Sequence, residues 1–125
     1  MTVLTDIPET TYEGQCHCGA VRYRVTTDLQ ELADCNCSRW ARLGWIMQAV
    51  PASDFELLAG ADKLKEYRFN TGRIQHLFCT ECGIESFSRG EDARGNPLVV
   101  ISVACLEGAP AIDRATIRHW DGRAF

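Results

Sequence analysis

Six of the seven cysteines in this 125-residue chain stand in close pairs: Cys16-His17-Cys18, Cys35-Asn36-Cys37 and Cys79-Thr80-Glu81-Cys82. Two cysteines this near in sequence strain any disulfide between them. Met1–Thr11 carries Asp6 and Glu9 and no basic residue, so it does not read as a secretory signal. The expected compartment is the reducing cytoplasm, where disulfides are rare. Metal explains the pairing better: zinc takes about four soft ligands, and each close pair supplies two sulfurs for little extra loop-closing entropy. Phe78-Cys79-Thr80-Glu81-Cys82-Gly83 is the strongest of the three signals. Backbone N–H groups of such a turn can point at a thiolate, and the trailing glycine tolerates the unusual φ that follows. Cys16-His17-Cys18-Gly19 carries the same glycine. The two Cys-x-Cys pairs are less specific, because any strand sets residues i and i+2 on one face. Six sulfurs make one closed four-sulfur site and one leftover pair, in any of three groupings. A closed site is structural, so chemistry belongs to the leftover pair. Cys105, inside an apolar run, reads as a buried small hydrophobe.

The remaining pattern predicts an all-β fold of mainly antiparallel short strands with zinc-ribbon-like knuckles and at most one or two short helices. In Val21-Arg22-Tyr23-Arg24-Val25 the apolar residues share one face and the arginines the other. Further short runs rich in β-branched and aromatic residues are Trp45–Val50, Phe55–Leu58, Lys65–Phe69, Ile74–Phe78, Ile84–Ser88, Leu98–Ala104 and Thr116–Trp120. Ser38–Leu43 predicts a helical turn or two capped by Ser38, while Met1–Gly14 and Gly90–Pro97 look loose. Residues 1–125 make one domain by length. Thirteen basic residues against seventeen acidic ones argue against a nucleic-acid partner. The longest apolar run, Pro97–Leu106, is about half of a membrane span.

Gly14-Gln15-Cys16-His17-Cys18-Gly19-Ala20-Val21, Cys35-Asn36-Cys37-Ser38, Phe78-Cys79-Thr80-Glu81-Cys82-Gly83 and Ile101-Ser102-Val103-Ala104-Cys105-Leu106 follow in order along nearly the whole chain. In these stretches the sequence resembles the glutathione-dependent formaldehyde-activating enzymes, whose domain is shared with centromere protein V. The resemblance implies a β-rich fold around zinc, with Cys16, Cys18, Cys79 and Cys82 holding a structural ion. It implies a second, catalytic zinc at a Cys-x-Cys-x-x-Cys motif, here Cys35 and Cys37, with glutathione as co-substrate. The implied activity is that of a carbon–sulfur lyase, joining or splitting glutathione and formaldehyde. The partner is then a small thiol–aldehyde adduct.

The chain departs from that motif at Trp40, which stands where the third cysteine is expected. An indole N–H is a donor only and offers a metal no lone pair, so Trp40 reads as packing. His17, His76, His119 and Asp34 are the other donors, and each reads as an ordinary hydrogen-bonded residue rather than a third ligand. Asp34 should point away from Cys35 in a strand. Arg22, Arg24, Arg39, Arg42 and Arg73 read as a solvated face, and Trp45, Tyr67, Phe69 and Trp120 as core and rim. Two further readings stand beside the lyase: a non-catalytic zinc-stabilised binding module that has lost the second metal, and a metal-free redox pair at Cys35 and Cys37.

Overall fold

The computed structural model describes residues 8–69 and 72–121. The alternation around Tyr23 forms a strand, β2 (Arg22–Thr27), with Tyr23 and Val25 buried and both arginines outward. It pairs antiparallel with β1 (Thr10–Gln15) on one side and β5 (Phe55–Ala59) on the other, making a three-stranded sheet. A second sheet holds seven strands: β3 (Ala33–Cys35), β4 (Met47–Pro51), β6 (Leu64–Tyr67), β7 (Gln75–Cys79), β8 (Glu85–Glu91), β9 (Pro97–Ser102) and β10 (Arg118–Trp120). Their spatial order is β10-β3-β4-β9-β8-β7-β6, antiparallel throughout except for the parallel pair β10–β3. The all-β expectation holds. No helix among the described residues is long and apolar enough to cross a membrane.

The period of two divides the large sheet into two faces with different cover. Val50, Phe87, Val99 and Ile101 share a core with Tyr12, Tyr23, Val25 and Phe55 of the small sheet. Tyr23 is its hub, stacked on Phe55 at 5.0 Å, edge-on to Phe87 at 5.6 Å, and donating its hydroxyl to the Ser86 carbonyl at 3.2 Å. On the other face Ala33, Cys35, Met47 and Val100 pack with Trp40 and Trp45. Trp40 belongs to α1 (Ser38–Leu43), the one α-helix among the described residues.

Several boundaries differ from the sequence reading. Residues 10–14, placed in a loose segment, belong to strand β1: Tyr12 and Gly14 face inward, and a side chain at Gly14 would collide with the Tyr23 ring. Within Gly90–Pro97, Gly90 and Glu91 extend β8 and Pro97 opens β9, so only a tight turn lies between. The cap of α1 is Cys37 rather than Ser38, its sulfur accepting the Trp40 N–H at 3.4 Å. Cys105 lies in a 3-10 turn (Val103–Cys105) rather than a strand and is half-buried, since β9 ends at Ser102. The short strand β3 is absent from the sequence reading, because three residues show no period.

Candidate metal centre and adjoining cleft

Two turns, one after β1 and one after β7, bring Cys16, Cys18, Cys79 and Cys82 together, with all four sulfurs within 4.8 Å of one another. Among the described residues this is the one such group of three or more His, Cys, Asp or Glu donors. Cys16 and Cys79 are buried, Cys82 is half-buried and Cys18 is exposed. The turns share one construction. Cys16 N–H donates to the Val21 carbonyl and Cys79 N–H to the Ile84 carbonyl; Gly19 and Gly83 both take φ of +81°. Val21 N–H points at the Cys16 sulfur and Glu81 N–H at the Cys79 sulfur, each at 3.4 Å.

The spacing is that of a metal tetrahedron. Arms of about 2.3 Å, the zinc–sulfur length, give edges of about 3.8 Å. Cys16–Cys18 and Cys18–Cys79 are each 3.7 Å apart. The protons are unevenly held. Burial opposes ionising Cys82, but the N–H groups of Ile84 and Cys18 and the Cys16 and Cys79 thiols bring it down to about 6. Cys18 has the Ala20 N–H in favour of its thiolate, yet loss of water and bonds with the Cys16, Cys79 and Cys82 sulfurs push it up to about 12. Four thiolates this close repel one another, and a divalent cation removes that repulsion. The donor set therefore fits a resident metal ion. His17 is exposed and outside the group. Cys105 is a fifth sulfur nearby; burial raises its thiol, and the negative charge of Cys16 and Cys82 raises it further.

Cys35 and Cys37 lie elsewhere, at the end of β3 and the start of α1, within the Trp40–Trp45 cluster. Trp40 is buried, as its reading as packing requires, and stacks on Trp45 at 6.4 Å. Its indole Nε1 has no hydrogen-bond partner among the described residues. Edge-on to Trp40 at 5.7 Å sits His76, buried, with Nδ1 3.2 Å from Glu85 Oε2. Arg39 of α1 reaches the other oxygen of Glu85 through Nε, at 3.2 Å, and a terminal nitrogen, and lies over the Tyr67 ring at 4.7 Å. Nothing in the sequence reading singled out Glu85. It sits in the short run Ile84–Ser88, and a bulge opposite Leu77 and Phe78 turns it onto the face of His76.

A cleft of about 420 Å³ opens between α1 and β10. Cys35, Trp40, Trp45, Arg114, His119 and Trp120 are among the residues that line it. The parallel register sets His119 beside Asp34 and Trp120 beside Cys35. His119 Nδ1 is 2.8 Å from Asp34 Oδ1, and Arg114 approaches the other carboxylate oxygen at 4.0 Å. Asp34 points away from its neighbour, as expected of a strand. Of the five arginines read as a solvated face, Arg22 and Arg24 are exposed and paired with Glu13, while Arg39 is largely buried by its carboxylate.

Two packed β-sheets and a four-cysteine group that could hold a metal ion define an all-β protein with a candidate metal centre. The family model for glutathione-dependent formaldehyde-activating enzyme matches residues 11–120, and the chain belongs to that family. It is also similar to the crystal structure of a Rhodobacter sphaeroides protein from structural genomics. The two are 31% identical over 86% of this chain and 98% of that one, with a TM-score of 0.74.

Proposed function

We propose that the protein holds one structural zinc ion at Cys16, Cys18, Cys79 and Cys82 and acts as a carbon–sulfur lyase. Its substrate is an adduct of glutathione with formaldehyde or another small aldehyde. The observation that carries the reading is the cleft, whose lining includes Cys35 together with a His–Asp pair and an arginine. In the forward direction the thiol sulfur bonds to the carbonyl carbon, the carbonyl π pair moves to oxygen, and the thiol proton ends on that oxygen. With Nδ1 held by Asp34, His119 has Nε2 to give or take that proton. Arg114 offers a guanidinium to a substrate carboxylate. Trp40, Trp45 and Trp120 supply apolar wall, which limits water around the carbonyl.

The second, catalytic zinc does not fit as the family motif implies. Two sulfurs and an indole make no three-thiolate site. Zinc per chain tests the assignment: one ion is expected. Trp40→Cys should raise zinc content toward two or raise turnover, and if neither changes, Trp40 does not occupy a vacated ligand position.

Trp40 also favours the second reading, a zinc-stabilised binding module. It is buried among Ala33, Cys35 and Met47, where a catalytic ion would need room. That reading predicts no adduct formation from glutathione and formaldehyde above the uncatalysed rate, at any zinc concentration. Adduct formation that His119→Gln slows while zinc content stays constant supports the lyase.

A further inference from the structure

At the end of the large sheet remote from the four cysteines, Gln75 and Arg89 stand directly opposite each other on β7 and β8. With Arg68 and Arg73 they line a cleft of about 350 Å³, closed on its other side by Pro97 and Leu98. It shares no lining residue with the cleft at Cys35. Glu91 is the one carboxylate in its wall. The charge is unusual for this chain, which carries −4 overall. Arg22, Arg24, Arg39 and Arg114 each lie within 4.0 Å of a carboxylate. Among the described residues Arg73 and Arg89 have none, as is true of Arg42, Arg94 and Arg118 elsewhere on the surface, and Arg68 is engaged by Glu66 and the Gly72 carbonyl.

Gathering like charges in one cleft is unfavourable unless something offsets it. Arg89 is also held in place. Its guanidinium lies over Phe55 at 5.2 Å and Phe87 at 5.5 Å, which covers one flat side and leaves the N–H edges as the free donors. A fixed guanidinium edge, a second unpaired guanidinium and the Gln75 amide are a donor set for one small oxyanion. We propose that this cleft binds a phosphate or carboxylate group through Arg73, Arg89 and Gln75, with Arg68 at its rim. The proposal stands apart from the lyase reading and does not need it.

Calorimetric titration of the full-length, metal-replete protein tests it, with sodium phosphate in one arm and succinate in the other. Sodium chloride at the same ionic strength is the reference in both. A saturable one-to-one heat is expected in at least one arm: phosphate alone identifies a phosphate site, succinate alone a carboxylate site, and both a general oxyanion site. Arg73→Gln and Arg89→Gln should each weaken that binding about tenfold, the loss of one charge-assisted contact. Arg22→Gln, on the small sheet, should leave it unchanged. Arg73 is exposed, so R73Q keeps the test valid even if R89Q disturbs the packing on Phe55 and Phe87. No saturable heat in either arm, or unchanged binding in R73Q, overturns the proposal.

Discussion

Glu85→Gln should destabilise the protein by about 3 kcal/mol, although it changes one atom and almost no volume. The Glu85 side chain is 1% exposed and accepts from two Arg39 nitrogens and from His76 Nδ1. A glutamine there has one acceptor oxygen, and its amide N–H₂ must face one of those donors. If it faces Arg39, a guanidinium that is only 23% exposed loses its counter-charge. If it faces His76, the imidazole must change tautomer, and the charge pair is lost all the same. Breaking a buried pair by removing one partner costs about 3–5 kcal/mol, and the partial exposure of Arg39 sets the lower end. Denaturant unfolding of wild type, E85Q, R39M and the R39M/E85Q double variant measures it. The double variant should be about 2 kcal/mol more stable than the sum of the single effects predicts, because the second change removes a charge already orphaned. Arg39 helps tie α1 to the sheet beside the packing of Trp40, so hydrogen exchange at the Ala41 and Gly44 amides, which close α1, should quicken in E85Q. An E85Q protein within about 1 kcal/mol of wild type, or simple additivity with R39M, would refute this account of the network.

Three further outcomes are expected. Cys79→Ser should lose the bound metal and most of the stability that metal supplies, on the order of 10 kcal/mol for a structural zinc, whereas Cys105→Ser should keep the metal; elemental analysis and thermal melts of both check it. Gly14→Ala should cost about 2–3 kcal/mol by overpacking, since the added carbon falls 2.3 Å from Tyr23 Cζ and the ring is pinned by Phe55, Phe87 and Ser86; a wild-type melting temperature would contradict it. Asp92 is held below its ordinary value by the Asn96 backbone N–H, then by the Asn96 side chain and the Arg94 and Gly95 N–H groups. A depressed carboxyl contributes stability that is present above its unfolded-chain value and lost as pH falls through the folded one. The stability gap between wild type and Asp92→Ala should therefore be constant at neutral pH and close in acid, as pH-dependent unfolding will show.

Most of the sheet was legible because burial writes itself into a period of two, and Arg22-Tyr23-Arg24-Val25 is the clearest case. The gathering of Cys16, Cys18, Cys79 and Cys82 followed from the family resemblance rather than from spacing, which leaves three groupings equal. Cys37 as the cap of α1 was missed because sulfur is a weaker acceptor than the neighbouring serine hydroxyl, which made Ser38 the natural choice. The buried Arg39–Glu85–His76 network was illegible for another reason. Its three members come from α1, β8 and β7, and the bulge that aims Glu85 inward leaves no mark on the local pattern. The His119–Asp34 pair likewise depends on a parallel pairing across 85 residues that no local rule encodes.

The four-cysteine group is split between the two ends of a long stretch, Cys18 and Cys79 being 61 positions apart. On a ribosome adding about 5–20 residues each second, the first pair therefore waits about 3–12 s for the second to emerge. During that interval Cys16 and Cys18 are a bare dithiol, open to oxidants and electrophiles and unable to complete a tetrahedron. On the proposed reading a closed metal site can form only after Cys82 is made, so loading comes late in synthesis. A nascent protein that stalls before that residue carries half a site and none of the stability that a closed one confers.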